Sequence, residues 1–432
     1  MRLLIIIFIC VAGGLANADQ KPGTLRLSLA QALQKAETIS VGVLVADARV
    51  AQAMARFAEA KAPLLPQIDG SITGARQTRD LRGTGIVLPS DDPHVGPFNS
   101  FDVRGRITQT VFDAGALARL RAAKAGEELS AVQMQKAKED ALALIAVMYI
   151  QAKRAQEHVQ LTRVFLKRDK KIMELAKIQY DQGTGSLLEF KQTKADYLQS
   201  MYVNRAADAE ALQRRLDVAA ALQIPADMPV IFETDDYRPL LEKIQTKNTD
   251  EISPDIKVAQ QEANAQAAQA KAAAADFLPK ISAVGDYGRT GKTPDQSSYT
   301  YMLGVQASVP IWEGGSKQAR VTEAKAKVKE ARAVLEDTRL QSEAAIINAR
   351  ARIAEADALV KAKAAQLAVA DEQMKTVLHR QHWGIGHELD VDIATAQKVF
   401  AEDEGREAVA LLWMSKITLA HALGQMRSLI QD

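Results

Sequence analysis

Leu64-Leu65-Pro66-Gln67-Ile68 returns 213 residues later as Phe277-Leu278-Pro279-Lys280-Ile281. Val111-Phe112-Asp113-Ala114-Gly115 returns after 200 residues as Ile311-Trp312-Glu313-Gly314-Gly315, so the first copy carries 13 extra residues between its two motifs. Each pair of motifs brackets two stretches of strand character and precedes a long helical run. A repeat of this length decides what the folding unit is. The chain reads as one unit written twice, in the order helix, strand, loop, strand, very long helix.

The helices carry the clearest signal. No Gly or Pro occurs for 56 residues between Gly126 and Gly183, or for 68 residues between Gly315 and Gly384, enough for rods of roughly 85 to 100 Å. In the second run small or apolar residues fall at Val321, Ala324, Val328, Ala331 and Leu335, and again from Ile353 through Ala356, Val360, Ala364, Leu367, Ala370 and Met374 to Val377. This spacing is close to the heptad and predicts coiled-coil pairing, with Ala permitting close approach. Each run ends at a Gly-rich turn, Gly183-Thr184-Gly185 or Gly384-Ile385-Gly386, and a shorter helix follows, Leu187 to Leu222 or Leu389 to Leu423. The result is two helical hairpins.

Met1-Arg2, an apolar run from Leu3 to Leu15 and the small residues Ala16-Asn17-Ala18 read as a signal peptide over 1–18. The single cysteine, Cys10, lies within it, so the exported chain is expected to have neither disulfides nor thiolate metal sites. Lys and Arg number 55 against 53 Asp and Glu; that near balance argues against a nucleic-acid partner. After residue 18 no unbroken apolar run is long enough for a spanning helix. If the exported chain crosses a membrane, it must do so as a closed barrel.

Phe101 to Val111 alternates, with Phe101, Val103 and Ile107 on one face and Asp102, Arg104 and Arg106 on the other. Tyr299 to Val309 repeats the pattern, placing Tyr301, Leu303 and Val305 on the apolar face, and 68–78 and 281–289 are weaker, Gly-rich versions. An antiparallel sheet with one wet face produces the same alternation. The export signal, and the lack of other apolar material to cover such a sheet, favour strands of a membrane wall with the apolar face toward lipid. Arg104 and Arg106, toward the lumen, should then both tolerate Ser. Four strands cannot close a barrel of the usual eight or more, so the chain must oligomerise; three copies supply twelve.

These residues resemble the TolC-like outer-membrane factors, the exit ducts of efflux pumps and type I secretion systems. The resemblance covers nearly all of the exported chain. It rests on the opening Leu27-Ser28-Leu29-Ala30-Gln31-Ala32-Leu33 and on the turns Phe112-Asp113-Ala114-Gly115 and Trp312-Glu313-Gly314-Gly315, followed by Arg119 and Arg320. It rests also on the tips Tyr180-Asp181-Gln182-Gly183 to Glu189 and Trp383-Gly384-Ile385-Gly386 to Asp392, and on the closing Ala422-Leu423-Gly424. What it implies is a mainly α protein with a small β part: a homotrimer whose twelve-stranded outer-membrane β-barrel continues into a periplasmic α-helical tunnel. The first structural repeat would cover 19–224, with strands near 66–79 and 100–111. A linker at the tunnel's girdle, over 225–254, would contain Pro225, Pro229, Pro239 and Pro254. The second repeat would cover 255–432, with strands near 279–290 and 298–311.

By the same resemblance, the tips carrying Gly183, Gly185, Gly384 and Gly386 dock a periplasmic adaptor (membrane fusion) protein, and Glu189, Trp383, Glu388 and Asp392 line the periplasmic aperture. Beyond the adaptor lies an inner-membrane pump of the RND or ABC type. Glu189 and Asp392 each stand six residues after a tip Gly. Glu388 occupies a position where the family has Arg, so the family's closing salt bridge does not carry over. His379, His382 and His387 cluster near the second tip, but with no Cys and no evident fourth ligand they read as solvent-facing residues and not a metal site. No catalytic constellation or cofactor motif is present, which points away from an enzyme. The competing class is a periplasmic coiled-coil adaptor or scaffold, which has one helical hairpin between small β domains and not two hairpins each preceded by a strand pair.

Overall fold

The computed structural model describes residues 25–80, 94–233 and 253–430. The expected signal peptide and much of the expected 225–254 linker lie outside them. In chain order the elements are β1 (Leu25–Leu27), α1 (Leu29–Ile39), α2 (Val41–Lys61), β2 (Gln67–Asp80), β3 (His94–Asp113), α3 (Ala114–Asp181) and α4 (Leu187–Ala221). There follow β4 (Val230–Phe232), α5 (Pro254–Ala275), β5 (Lys280–Gly291), β6 (Ser297–Ser308), α6 (Ser316–His382) and α7 (Glu388–Leu423). α3 and α6 contain 68 and 67 residues, far beyond the usual globular helix.

The duplication reaches the hydrogen-bond register. β2 pairs with β3 so that Gln67 faces Thr108, and β5 pairs with β6 so that Lys280 faces Ser308. The same two offsets found in the motifs therefore carry one hairpin onto the other residue by residue. The copies differ at their ends. β3 extends from His94 to Asp113, longer than the expected 100–111, because its first residues pair with β2 alone and its last with β5 alone. β6 stops at Ser308, short of the expected 311, and it is an edge strand bonded on one side only.

Two further features depart from the sequence reading. Residues 225–254 showed no periodicity, yet they contain β4, which pairs in parallel with β1 through Leu25 with Val230 and Leu27 with Phe232. Three-residue strands are too short to show a period. Leu29–Leu64 reaches a mean hydropathy of 1.3 and is long and apolar enough to cross a membrane, which the search for unbroken apolar runs passed over. That stretch is divided where the Ser40 side chain caps α2 by accepting from the Val43 amide, and it carries Lys35, Glu37, Asp47 and Arg49.

The described residues cluster into two compact units, each drawing on both copies: 25–35, 145–233 and 363–410, and 36–80, 94–144, 253–362 and 411–430. In the first unit the buried Tyr149 hydroxyl donates to the Leu27 carbonyl at 2.9 Å, and its ring meets Phe232 edge to face at 5.2 Å. α3 packs antiparallel to α4, where Asn204 donates to Thr162 Oγ1 at 2.9 Å, both buried. It also packs antiparallel to α7, where Phe165 approaches Phe400 at 6.3 Å. In the second unit Leu419 and Leu423 pack on Ala349 with Ile346 and Ile353 around them. There the buried Glu139 accepts from the backbone amides of Met426 and Arg427 at 2.8 and 3.3 Å, tying down the turn after α7. The heptad positions expected on α6 form its covered stripe, all buried or half-buried except Ala364.

One buried acid joins α3 to α7. Asp403 accepts from Arg154 Nη1 and Nη2 at 2.6 and 2.5 Å and from His158 Nδ1 at 3.0 Å. Burial alone would raise the Asp403 carboxyl, but the bonds from Arg154 and His158 outweigh it and hold it below the usual carboxylate range. A carboxylate with a depressed folded-state pKa stabilises above its unfolded value, near 4, and that stabilisation is lost as pH falls through the folded value. Asp403→Asn strips the partner from the largely buried Arg154 and should cost about 3 kcal/mol at pH 7. The gap between wild type and variant should narrow as pH falls below about 4, read as the difference between their unfolding midpoints at each pH.

Candidate functional site: the two-faced sheet and the hairpin tips

The four long strands form one antiparallel sheet in the order β2-β3-β5-β6. Its register sorts side chains into faces, because directly opposed residues project to the same side. Ile68, Ile107, Gly285 and Leu303 form one cross-strand row, and Ile72, Val103, Arg289 and Tyr299 another. Gly70, Gly105, Tyr287 and Tyr301 lie between them on the same side. A Cβ on Gly285 would lie 3.4 Å from both Ile107 Cγ2 and Leu303 Cδ1, which places those two side chains on one surface. Phe101 and Val305 belong to this face as well. The opposite face carries Asp69, Asp102, Arg104, Arg106, Asp286 and Thr300.

Burial on this sheet is inverted relative to a soluble protein. Tyr301, Leu303 and Val305 on the apolar face are 81%, 84% and 75% exposed. On the polar face Asp286 and Ser282 are buried. Arg104 there bonds Asp286, reaches Asp102 at 2.9 Å and donates to Thr300 Oγ1 at 3.4 Å. A sheet with one wet face would hide Leu303 and expose Asp286. This one exposes the apolar side chains of β6 and pairs Arg104 with Asp102 and Asp286 on the polar face, as a barrel wall in lipid requires.

The Phe-Asp-Ala-Gly motif has a mechanical explanation. Asp113 Oδ1 accepts from the Ala116 amide at 2.8 Å and caps α3. Arg119 bonds Asp276 at the end of α5 and lies 3.9 Å from Asp113, which Lys280 also approaches at 3.8 Å. A Cβ on Gly115 would stand 2.7 Å from Asp276 Oδ1 and 3.1 Å from Arg119 Nη1. The glycine therefore leaves room for the ion pair.

Both hairpin tips close with one helix-ending motif. Gly183 and Gly384 have φ of 73° and 70°, reached freely only without a Cβ. Around them Gly183 N donates to Tyr180 O and Thr184 N to Gln179 O, and Gly384 N donates to Gln381 O and Ile385 N to Arg380 O, all within 3.0 Å. Gly185 and Gly386 serve a different purpose. A Cβ there would meet Gln179 Cβ at 2.9 Å or the Gln381 amide nitrogen at 3.0 Å, so these glycines allow the returning chain to pass close to the finished helix.

Aligning the tips on Gly183 and Gly384 changes one equivalence. Glu189 corresponds to Asp390, not to Asp392, because the positive-φ glycine of the second tip is Gly384 and not Gly386. The two also occupy the same position at the start of the returning helix. The Glu189 amide donates to the Ser186 side chain at 3.0 Å, and the Asp390 side chain accepts from the His387 amide at 3.0 Å, two halves of a capping box divided between two helices. Glu189 and Trp383 are exposed, whereas Asp392 is half-buried and bonded to Lys171 at 2.6 Å. The same Lys171 reaches Glu388 at 3.1 Å. Its bonds to Asp392 and then Glu388 raise the Lys171 ammonium above its ordinary value. Sequence reasoning missed Lys171, because its partners lie 217 and 221 residues away. Among the described residues no group of three or more His, Cys, Asp or Glu side chains is placed to hold a metal.

An inverted, open four-stranded sheet followed by long helical hairpins defines a class, a β-sheet membrane protein with long helical extensions. The chain belongs to the outer membrane efflux protein family, which matches residues 31–223 and 247–425, and it is an outer-membrane protein. It is 26% identical over 278 residues to the alkaline protease secretion protein AprF of Pseudomonas aeruginosa, covering 61% of this chain. To the pyoverdine export outer membrane protein OpmQ of Pseudomonas putida it is 24% identical over 307 residues, covering 69% of this chain. These alignments span 56% and 64% of the relatives' own lengths. The fold is that of the Campylobacter jejuni CmeC outer membrane channel, with a TM-score of 0.78 at 17% identity over 92% of this chain and 85% of that one.

Ile107→Arg, or Val103→Arg, should cost about 2 to 4 kcal/mol if the residue sits near the bilayer midplane. Arg106→Ser should be nearly neutral. Arg104→Ser, expected from sequence to be tolerated, should instead cost about 2 kcal/mol because it leaves the buried Asp286 carboxylate without its partner. Heat stability of the extracted assembly ranks the four; Ile107→Arg and Val103→Arg tolerated as well as Arg106→Ser would refute the assignment.

Proposed function

We propose that three copies of this chain close a twelve-stranded barrel in the outer membrane, continuous with a helical tunnel through the periplasm. The assembly is the exit duct of a tripartite efflux pump or type I secretion system. It conducts passively what an inner-membrane pump of the RND or ABC type delivers through a periplasmic adaptor. The observation that carries this reading is the inverted sheet, whose apolar face and two free edges fit a bilayer and neighbouring copies. A periplasmic adaptor or scaffold has no use for such a sheet. The names of AprF and OpmQ describe alkaline protease secretion and pyoverdine export, which supports an export role at the level of class.

The tips around Gly183, Gly185, Gly384 and Gly386 are the proposed adaptor surface. The proposed aperture consists of Glu189, Trp383 and, by the corrected equivalence, Asp390. Glu388 and Asp392 are held by Lys171. Rings of carboxylates favour cations where a pore is narrow, and at physiological salt their field reaches only about 8 Å.

A heat-modifiable trimer in outer-membrane extracts is the expected fractionation result; a soluble periplasmic product would overturn the proposal. In planar bilayers the purified channel should prefer cations. Glu189→Gln with Asp390→Asn should weaken that preference more than Glu330→Gln does, and unchanged reversal potentials would remove these acids from the aperture. Gly384→Val, which forces a β-branched residue to positive φ, should abolish export while trimer level and membrane insertion persist. Normal export at normal protein level would show that the tips are not the docking surface.

A further inference from the structure

The acids of the four-stranded sheet lie on its polar face or at its margins, and the apolar face is left with arginine. From the level of Phe112, Ile281 and Ala307 to the level of Arg76 and Asn99, the apolar face carries no carboxylate. It carries two cations, Arg289 and Arg76, and both stand toward the end of the sheet away from the helices. A charge on the lipid side of a barrel is costly at the midplane and tolerated near the interface, so the height of Arg289 decides what it can do.

Arg289 belongs to the row of Ile72, Val103 and Tyr299. Along β6, Ala307 and Tyr299 are eight residues apart, which is about 27 Å of strand and roughly 20 Å of height at the tilt of a barrel strand. The apolar band of such a barrel is about 25 Å tall and is bounded by aromatic girdles. Arg289 sits at its upper margin. Tyr287 and Tyr299 stack there with ring centroids 5.8 Å apart, and Tyr301 stands opposite Tyr287.

The guanidinium is held but not neutralised. It lies over the Tyr299 ring, 5.2 Å from the centroid. Its Nη2 donates to the Ser297 carbonyl at a long 3.3 Å. Arg104 on the polar face is matched by Asp102 and Asp286, whereas among the described residues Arg289 has no carboxylate partner. Most of its five N–H donors therefore remain for a ligand. The exposed turn beyond it contains Lys292 and Asp295, which offset each other, and Arg76, two levels farther out on the same face, keeps the margin positive.

We infer that Arg289, with Tyr299 beneath its guanidinium, binds a phosphate on the headgroup of a lipid in the outer leaflet. This rests on the barrel wall proposed above and gives that wall a ligand. A guanidinium offers paired donors that match two phosphate oxygens. The lipid's acyl chains fit the exposed side chains of Tyr301, Leu303 and Val305 on the membrane side of the site; a free phosphate ion makes no use of them. β5 is bonded by β3 on one side and β6 on the other, so each chain holds a complete site and no second copy contributes to it.

Native mass spectrometry of the full-length assembly in mild detergent counts bound lipid directly. The probes are lipid A carrying both phosphates, the same lipid dephosphorylated, and inorganic phosphate. The expected result is saturable retention of lipid A, weakened about tenfold in Arg289→Gln through the loss of charged hydrogen bonds. Wild type should lose a similar factor toward the dephosphorylated lipid, a comparison that needs no variant. Arg289→Lys keeps the charge without the fork and should fall between, while Arg106→Gln on the opposite face should bind as wild type does. Heat stability in lipid-free detergent, unchanged in each variant, separates lost binding from lost folding. Equal retention of lipid A by wild type and Arg289→Gln, or of both lipids by wild type, overturns this inference. Displacement of lipid A by millimolar inorganic phosphate also overturns it, because the site would then serve a soluble anion. Any of these results from an assembly that still inserts into membranes leaves the barrel standing. A chain recovered without membranes overturns both.

Discussion

An unpaired strand edge has no water to satisfy it inside a bilayer, and this sheet has two such edges. Within one chain four strands bond side by side, and the backbone groups along the outer edges of β2 and β6 remain open. Hydrocarbon offers them no partner, so the sheet is complete only when it meets more sheet. The edges also account for the unequal ends of the two copies. β3 reaches its junction with α3 because its last residues pair with β5, whereas β6, bonded on one side, gives up its last residues.

Side-chain chemistry follows from the same solvent. A sheet against lipid must turn its apolar residues outward and pair its polar ones within. Leu303 and Tyr301 stand open while Asp286 is covered and bonded to Arg104. Water reverses the requirement for the helices, which hide a narrow seam of Ala and aliphatic residues and leave charge outside. A few charges are nevertheless enclosed between helices. Asp403 tolerates burial because Arg154 and His158 fill its acceptor positions, and Glu139 because backbone amides do.

Much of this was legible in the linear chain. The repeated motifs defined the duplicated unit, period-two alternation marked Phe101 to Val111 and Tyr299 to Val309, and the absence of Gly and Pro marked α3 and α6. The tips were visible because a helix of this length ends where glycine permits it. Apart from the repeat, which emerges from comparing stretches 200 and 213 residues apart, these signals are local: each depends on residues near one another, which is the range over which backbone sterics and helical or strand periods act.

What only the tertiary structure decided is every relation between distant residues. It assigned the left-handed turn to Gly183 and Gly384 and the close chain crossing to Gly185 and Gly386, and so exchanged Asp392 for Asp390 as the counterpart of Glu189. It joined Lys171 to Glu388 and Asp392, Arg104 to Asp286 and Arg154 to Asp403, and it found a strand in a segment that looked irregular. No spacing rule connects partners 182 to 249 residues apart. A salt bridge depends on where two helices or strands come to lie after packing, and a three-residue strand exists only because another chain segment is there to bond it.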